Sequence, residues 1–496
     1  MNSENIHYID DARLTVGKVA EILASGARLE LSEGATARID RCRRYLDEKM
    51  ASCREPLYGI NTGFGSLCNI TVGADDLGQL QKNLVMSHSC GTGDPVDPEI
   101  VRLMLFLKAQ SLSYGNSGVQ VVTVQRLLDF YNLGITPVVY SLGSLGASGD
   151  LAPLANMCLP LIGLGEVWYK DQRRPAAEVL AETGLEPVQL QSKEGLALLN
   201  GTQFMSAHAV KALIEAERLW NAAERIGAMS LDAFDGRIEP FGPEVNEVRH
   251  HPGQIEAARV MRGLLAGSQL IARPKAHVQD PYSFRCIPQV HGAVLDAIMK
   301  VRQTIEDEIN SPTDNPTIFP DRDIIVSAGN FHGEPIALPM DYLTLAMSEL
   351  ANISERRIYK LIAGVRDLPS FLVARPGLNS GFMILQYTAA SIVNRNKCLC
   401  WPTSCDSIPS SQGQEDHVSM GANSAVKLLQ VVDNVRRVLA LELINAAQAL
   451  DFRRPLRSSE AVEKLHADFR RTVPFIEVDT VMSPHIAAAT EFVRNM

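Results

Sequence analysis

The sequence predicts a mainly α-helical protein in which a bundle of long helices follows a smaller, mixed α/β N-terminal part. Three segments, residues 208–229, 338–364 and 424–451, repeat apolar residues every three or four positions and carry charged residues between them. In the first 205 residues, glycine and proline are frequent and the apolar runs are short. We therefore expect two parts, residues 1–205 and 206–496, with the long-helix bundle in the second.

Residues 97–133 extend helical spacing into the N-terminal part. A chain of 496 residues with 46% hydrophobic residues can bury a large core. The sequence contains no repeat of fixed period and no linker rich in proline or serine. We therefore expect the parts to form one or two closely packed domains.

The charge balance and the apolar runs argue against nucleic-acid and membrane partners. The net charge is -10 and the sequence pI is near 5.6, which disfavours anionic surfaces as partners. Residues 1–14 include acidic residues and lack the apolar core of a secretory signal. No apolar run approaches the roughly 20 residues that a membrane span needs. We expect a cytoplasmic protein.

The nine cysteines are scattered and odd in number, which predicts reduced thiols. The densest group is Cys398, Cys400 and Cys405, with His417 further along the chain. Zinc sites usually pair cysteines as C-x2-4-C, and this spacing fits that pattern poorly. We predict no metal site.

The most distinctive stretch is residues 143–155, which read GSLGASGDLAPLA. Glycine lacks a Cβ and Ala147 adds little bulk, so the chain can fold sharply back on itself here. If the Gly149 nitrogen approaches the Ala147 carbonyl carbon, a five-membered ring can close. Loss of water from that ring and from Ser148 would leave an exocyclic methylidene, which is a strong electrophile. A flexible surface loop is the competing interpretation.

Two familiar motifs do not fit this stretch. Its glycines stand at positions 143, 146 and 149, whereas a dinucleotide loop needs G-x-G-x-x-G. Ser148 is followed directly by Gly149, whereas a hydrolase nucleophile elbow needs G-x-S-x-G. The sequence therefore favours neither dinucleotide binding nor this type of hydrolase.

Two further loops in the N-terminal part offer side chains for a site. Residues 57–65, LYGINTGFG, expose Tyr58 and Asn61, although a glycine-rich turn with a packed tyrosine has the same pattern. Residues 86–95, MSHSCGTGDP, place His88 at the end of a helical pattern. A single histidine there also fits a structural hydrogen bonder.

Two loops in the second part group polar residues more densely. Residues 277–286 place Gln279, Tyr282 and Arg285 close together. An arginine fork matches a carboxylate, and an ionised phenol can act as a base, although an exposed loop arginine is the plain alternative. Residues 407–424 hold Glu415 beside another acid and a histidine, which is also typical of a solvated helix cap.

Together these stretches resemble the histidine ammonia-lyase family, within the wider class of aromatic amino-acid lyases. The resemblance covers nearly the whole chain through nine motifs in order: YGINTGFG, SHSCGTG, GNSG, GASGDLAPLA, LLNGTQ, QDPYSFRC, TDNP, GNFHGEP and QEDHVSMG. In that family the Ala-Ser-Gly triplet cyclises unaided into 4-methylidene-imidazol-5-one. The resemblance places this group at Ala147, Ser148 and Gly149 and implies no external cofactor.

The resemblance also implies an architecture and an assembly. The fold would be largely helical, with a central bundle and a smaller mixed N-terminal part that carries the prosthetic group. The family forms homotetramers whose active sites combine loops from neighbouring subunits.

The resemblance further implies roles for individual residues. Tyr282 would be the base that takes the β-proton, and Arg285 would clamp the substrate carboxylate with help from Asn315. Asn200 and Gln279 match polar residues around the prosthetic group and the substrate.

Two aromatic residues complete the implied site. Phe331 matches an aromatic neighbour of the prosthetic ring. Tyr58 lies on the loop that closes over the site, where it would share in proton transfer and exclude water.

His88 and Glu415 bear on the substrate. Phenylalanine-specific relatives carry Phe-Leu at positions 87 and 88, and many tyrosine lyases carry His-Leu, whereas this chain has Ser-His. Some tyrosine lyases keep Ser-His but have glutamine at position 415. A carboxylate there can accept a hydrogen bond from an imidazole N–H, and burying it against a phenyl ring would cost several kcal/mol.

The resemblance therefore implies non-oxidative elimination of ammonia from L-histidine to give trans-urocanate, the first step of histidine degradation. A tyrosine ammonia-lyase or an aminomutase on the same scaffold is the alternative. A catalytically silent relative is a third hypothesis, against which the intact triplet, Tyr58, Tyr282 and Arg285 all argue.

Overall fold

The computed structural model describes residues 5–52 and 55–496, and α-helix dominates them, which confirms the predicted fold class. In chain order, the helices are α1 (Val16–Ser25), α2 (Glu33–Ser52), α3 (Leu77–His88), α4 (Pro98–Ser113), α5 (Val121–Leu133), α6 (Leu151–Cys158), α7 (Ala176–Thr183), α8 (Glu194–Leu199), α9 (Gln203–Ala233), α10 (Pro243–Glu247), α11 (Pro252–Leu265), α12 (Gln269–Ala272), α13 (Tyr282–Arg285), α14 (Ile287–Glu308), α15 (Glu334–Leu361), α16 (Met383–Leu399), α17 (Gly421–Asp451), α18 (Glu460–Arg470) and α19 (Ser483–Arg494).

The strands are short and form four small sheets in the described residues. They are β1 (Ile6–Ile9), β2 (Arg28–Leu31), β3 (Thr92–Pro95), β4 (Thr136–Pro137), β5 (Tyr140–Leu142), β6 (Glu166–Tyr169), β7 (Gln172–Pro175), β8 (Thr317–Phe319) and β9 (Ile324–Val326). β1 pairs with β2 in parallel, and the antiparallel sheets are β3-β5, β4-β6-β7 and β8-β9. Most strands precede residue 176, so the N-terminal part is mixed, as predicted.

The chain forms two compact units. The first comprises Met1–Lys211, Arg302–Asp341 and Pro402–Val426, and the second comprises Ala212–Val301, Tyr342–Trp401 and Lys427–Met496. All the strands named above belong to the first unit. The predicted division into residues 1–205 and 206–496 stays a prediction.

The predicted long helices are present with adjusted ends. α9 and α17 begin earlier than the periodicity indicates, and α15 starts at Glu334 and continues through Pro339. The helical spacing over residues 97–133 corresponds to two helices, α4 and α5, which are separated by Gly115 and Gly118 with φ values of +75° and +67°. Within residues 5–52 and 55–496, no helix has an apolar stretch long enough to cross a bilayer.

Three helices of the first unit, α3, α6 and α8, pack against one another and set the position of the loops at their ends. α3 buries Leu77, Leu84 and Val85 at helical spacing, and every residue of α8 is buried. His88 is the last residue of α3, the Ala-Ser-Gly triplet lies just before α6, and Asn200 directly follows α8. Three distant stretches of sequence therefore converge.

Candidate active site

The backbone of the triplet is held against a second glycine. Gly149 has a φ of +77°, and a Cβ added there would lie 2.1 Å from the Gly201 carbonyl oxygen. The N–H of Asp150 donates a hydrogen bond to that same oxygen at 2.7 Å. Only glycine combines this backbone conformation with so close an approach. Position 149 therefore requires the residue that the sequence provides.

Asn200 holds the triplet from the other side. Its Nδ2 donates to the Ser148 carbonyl at 2.6 Å. Its Oδ1 is buried and has no hydrogen-bond partner among residues 5–52 and 55–496. A buried acceptor without a partner is costly, and such groups are typical of functional sites that bind something further.

Lys108 contacts the main chain of Asn200. The sequence alone does not single out this lysine. Its Nζ donates to the Asn200 carbonyl at 2.7 Å and to Gln203 Oε1 at 3.2 Å. Burial lowers the pKa of Lys108 to about 8. The signal available in the sequence was a lone lysine in the apolar run LMLFLKAQSL, residues 103–112.

Asp150 is a second buried ionisable group beside the triplet. Its carboxylate accepts hydrogen bonds from the Met205 N–H at 3.0 Å and from Ser144 Oγ at 3.3 Å. Burial raises the pKa of Asp150 to about 7, and these hydrogen bonds oppose the shift. A carboxyl group with a pKa near neutral therefore lies next to Gly149.

A cavity of about 490 Å³ opens over Ser148 in the first unit. Four predicted site residues line it, each from a different part of the chain: Tyr58, His88, Ser148 and Glu415. Apolar walls come from α3 and α8, through residues that include Leu80, Leu84, Leu196 and Leu199. This size and this mixture of apolar walls with few polar groups suit a small organic ligand.

Glu415 lies close to Ser148 in this cavity. Its Oε1 accepts a hydrogen bond from Ser148 Oγ at 3.4 Å, and its Oε2 accepts one from Ser410 Oγ at 2.7 Å. The main-chain N–H of Ser410 also donates to the Glu415 carbonyl at 2.8 Å. The carboxylate is therefore held in place with Oε1 directed toward the triplet.

Burial sets the protonation of the two other ionisable groups that line the cavity. It raises the pKa of Tyr58, and the charge of Glu415 acts in the same direction, so the phenol keeps its proton. Burial lowers the pKa of His88, although the Glu415 charge opposes this shift, so the neutral imidazole is favoured. Ser87 Oγ lies 3.0 Å from His88 Nδ1 and helps to orient the ring.

Two predicted residues of the first unit lie elsewhere. Asn315 is buried, with its Oδ1 accepting from the Ala328 N–H at 2.6 Å and its Nδ2 donating to Ser327 Oγ at 3.1 Å. Phe331 is half-buried in the turn between β9 and α15. Of the residues that the structure describes, neither Asn315 nor Phe331 lines the Ser148 cavity.

The other predicted residues, Gln279, Tyr282 and Arg285, belong to the second unit. Tyr282 and Arg285 form the ends of α13, and the Arg285 guanidinium carbon lies 4.7 Å from the centre of the Tyr282 ring. The Tyr282 side chain is 71% exposed. It lines a cavity of about 550 Å³ with Arg356, and Gln279 is exposed in the preceding loop.

The family model for aromatic amino acid lyases matches residues 14–471. The chain belongs to this family. This aromatic amino acid lyase is 48% identical to a histidine ammonia-lyase from Symbiobacterium thermophilum, over 98% of this chain and 96% of the relative. The family resemblance predicted from the motifs is thereby confirmed.

Solved structures resemble this aromatic amino acid lyase over almost its full length. A histidine ammonia-lyase from Trypanosoma cruzi superposes with a TM-score of 0.92 at 41% identity, covering 99% of this chain and 93% of its own. A tyrosine aminomutase from Streptomyces globisporus superposes with a TM-score of 0.94 at 35% identity, covering 98% of this chain and 96% of its own. The shared fold therefore includes proteins with different named substrates.

Proposed function

We propose that this lyase is a histidine ammonia-lyase, which eliminates ammonia from L-histidine to give trans-urocanate in the first step of histidine degradation. The observation that carries the proposal is that His88 and Glu415 line the same cavity as Ser148. Both side chains can form hydrogen bonds to a heteroaromatic ring. The similarity to relatives named histidine ammonia-lyase supports the same substrate.

We infer that Ala147, Ser148 and Gly149 mature into 4-methylidene-imidazol-5-one, since aromatic amino acid lyases use an autocatalytically formed prosthetic group. The residues fit such a group. Gly149 has no Cβ to collide with the Gly201 backbone, Ala147 is buried, and Asn200 binds the Ser148 carbonyl. Once formed, the group would supply an electrophile that takes up the electron pair of the substrate's amino group.

Residues in and near α13 would bind the substrate carboxylate and remove the β-proton. Arg285 would bind the substrate carboxylate through its guanidinium fork, with help from Asn315. This contact fixes the β-carbon relative to Tyr282, which would take the β-proton. Gln279 would add a polar contact beside them.

The Ser148 cavity would hold the imidazole of the substrate. Glu415 would accept a hydrogen bond from a ring N–H, and the neutral His88 would orient the ring. Tyr58, which keeps its proton, would donate a hydrogen bond and exclude water. Asn200 and Phe331 would support the prosthetic group.

A tyrosine ammonia-lyase or an aminomutase is the second candidate. The similarity to a tyrosine aminomutase is the observation that favours it. A tyrosine hydroxyl could also donate to Glu415, so cavity shape alone does not separate the two substrates. The charge at position 415 distinguishes histidine from tyrosine as the substrate, because a phenol tolerates a neutral acceptor as well as a carboxylate.

Glu415→Gln tests this assignment. The change should lower kcat/KM for L-histidine by about 10- to 100-fold, which corresponds to a charged hydrogen bond of about 1.5–3 kcal/mol. Tyrosine turnover should be spared or improved. The control is Asp416→Asn, which removes the adjacent charge outside the cavity. A Glu415→Gln enzyme that keeps wild-type kcat/KM for histidine would remove Glu415 from substrate recognition.

We further propose a homotetramer whose active sites combine residues from neighbouring subunits. The exposed Tyr282 side chain would be available to such a neighbour. Large apolar side chains are also exposed on the second unit, including Tyr342, Ile384, Tyr387 and Trp401. The predicted cytoplasmic location stays a prediction.

A further inference from the structure

A buried carboxylate in the second unit anchors the loop that carries Tyr282. The Asp280 side chain has no solvent exposure. Its carboxylate accepts hydrogen bonds from Arg366 Nη1 at 2.6 Å, from the Arg237 N–H at 2.7 Å and from His277 Nε2 at 3.1 Å. A buried charge with this many partners fixes the chain on which it sits.

Arg366 contacts the loop before Tyr282 directly and reaches Phe284, after Tyr282, only through the Phe234 ring. On one side its Nη2 donates to the Gln279 carbonyl at 3.3 Å. On the other side its guanidinium lies 4.2 Å from the centre of the Phe234 ring, and that ring stacks on Phe284 at 4.3 Å with an interplanar angle of 6°. Arg366 therefore restrains Gln279 directly and Phe284 through the Phe234 ring.

The backbone of Arg366 is also unusual. Its φ is +54° and that of Asp367 is +60°, a left-handed conformation that residues with a Cβ rarely adopt. Glycine would adopt it without strain. A residue other than glycine at such a position is strained, and the surrounding contacts hold the strained backbone in place.

We propose that Asp280 and Arg366 are positioning residues that hold α13 so that Tyr282 and Arg285 meet the substrate in one fixed geometry. α13 spans only Tyr282–Arg285, and a single helical turn has little stability of its own. Its orientation therefore depends on anchors outside it. The inference rests on the proposed function, since it assigns Tyr282 and Arg285 to the reaction.

Arg366→Gly is the informative variant, because glycine suits the left-handed backbone while removing the whole side chain, guanidinium included. We expect kcat/KM to fall about 100-fold, the loss that displacement of a reacting group by about 1 Å can cause. The intact mass should show the triplet matured as in the wild type. Added guanidinium ion should restore turnover at concentrations that leave the denaturation midpoint unchanged, which a purely stabilising residue would not show.

Asp367→Gly is the matched control, since it makes the same change at the neighbouring left-handed position and should keep near-wild-type turnover without a guanidinium response. Asp280→Asn serves if Arg366→Gly does not fold, and it should show the same loss with normal maturation. The inference is overturned if Arg366→Gly keeps a kcat/KM within about threefold of the Asp367→Gly value. It is also overturned if Arg366→Gly loses turnover and added guanidinium ion does not restore it. All variants are compared with the wild type on the amino acid that the wild type turns over fastest. A wild-type enzyme that is inactive on histidine would therefore refute the proposed function without refuting the positioning role.

Discussion

Tyr282→Phe should lower kcat for L-histidine by about 10²- to 10⁴-fold, the usual contribution of a general base, with a modest change in substrate affinity. Phenylalanine keeps the aromatic ring and its contact with the Arg285 guanidinium, which lies 4.7 Å from the ring centre. Only the phenol oxygen is lost. Because that side chain is 71% exposed, the change should leave the fold intact. Steady-state kinetics with L-histidine measures the effect.

Tyr359→Phe is the matched control, because Tyr359 lines the same cavity as Tyr282 and also lies beside cationic side chains. It should keep turnover close to the wild-type value. If Tyr282→Phe retained most of its kcat, another group would have to remove the β-proton, and the role proposed for α13 would be wrong.

Ser148→Ala should lower kcat by several orders of magnitude, because alanine has no hydroxyl to lose and leaves no methylidene. The fold should survive, since the Ser148 hydroxyl makes a 3.4 Å hydrogen bond and the main-chain contacts with Asn200 remain. Intact-mass measurement provides an independent readout. Wild type should lack two waters, and the variant should lack at most one.

Ser141→Ala, just upstream of the triplet, is the control and should keep both the mass deficit and the activity. Co-expression tests the proposal that each active site combines residues of two subunits. Chains carrying Ser148→Ala and chains carrying Tyr282→Phe should together restore part of the activity when they form one assembly. Fully active wild-type protein with an unmodified mass would contradict maturation of the triplet.

Helical periodicity predicts the long helices because each buries one apolar stripe. It locates α9, α15 and α17 within a few residues. It covers α4 and α5 without marking the break between them, since the two left-handed glycines that separate them carry no periodicity signal of their own. It also does not single out α14, whose first residues include a proline and a glycine.

The sequence motifs identify the candidate site residues, but their grouping depends on tertiary packing. Tyr58, His88, Ser148 and Glu415 meet only because α3, α6 and α8 pack together and the loop around Glu415 returns to them. Lys108 could not be assigned, because a lysine in an apolar helix has no partner until the fold supplies Asn200. The roles carried over from the resemblance, including those of Asn315 and Phe331, stay predictions.

The most direct test is to compare wild-type kcat/KM for L-histidine, L-tyrosine and L-phenylalanine and to identify each product. Histidine should be the preferred substrate and yield trans-urocanate with release of ammonia. Phenylalanine should be disfavoured by roughly 10⁴-fold, because its ring leaves the hydrogen-bonding groups of His88 and Glu415 unpaired. A wild-type enzyme that turns over tyrosine faster than histidine, or that yields a β-amino acid, would contradict the histidine ammonia-lyase assignment.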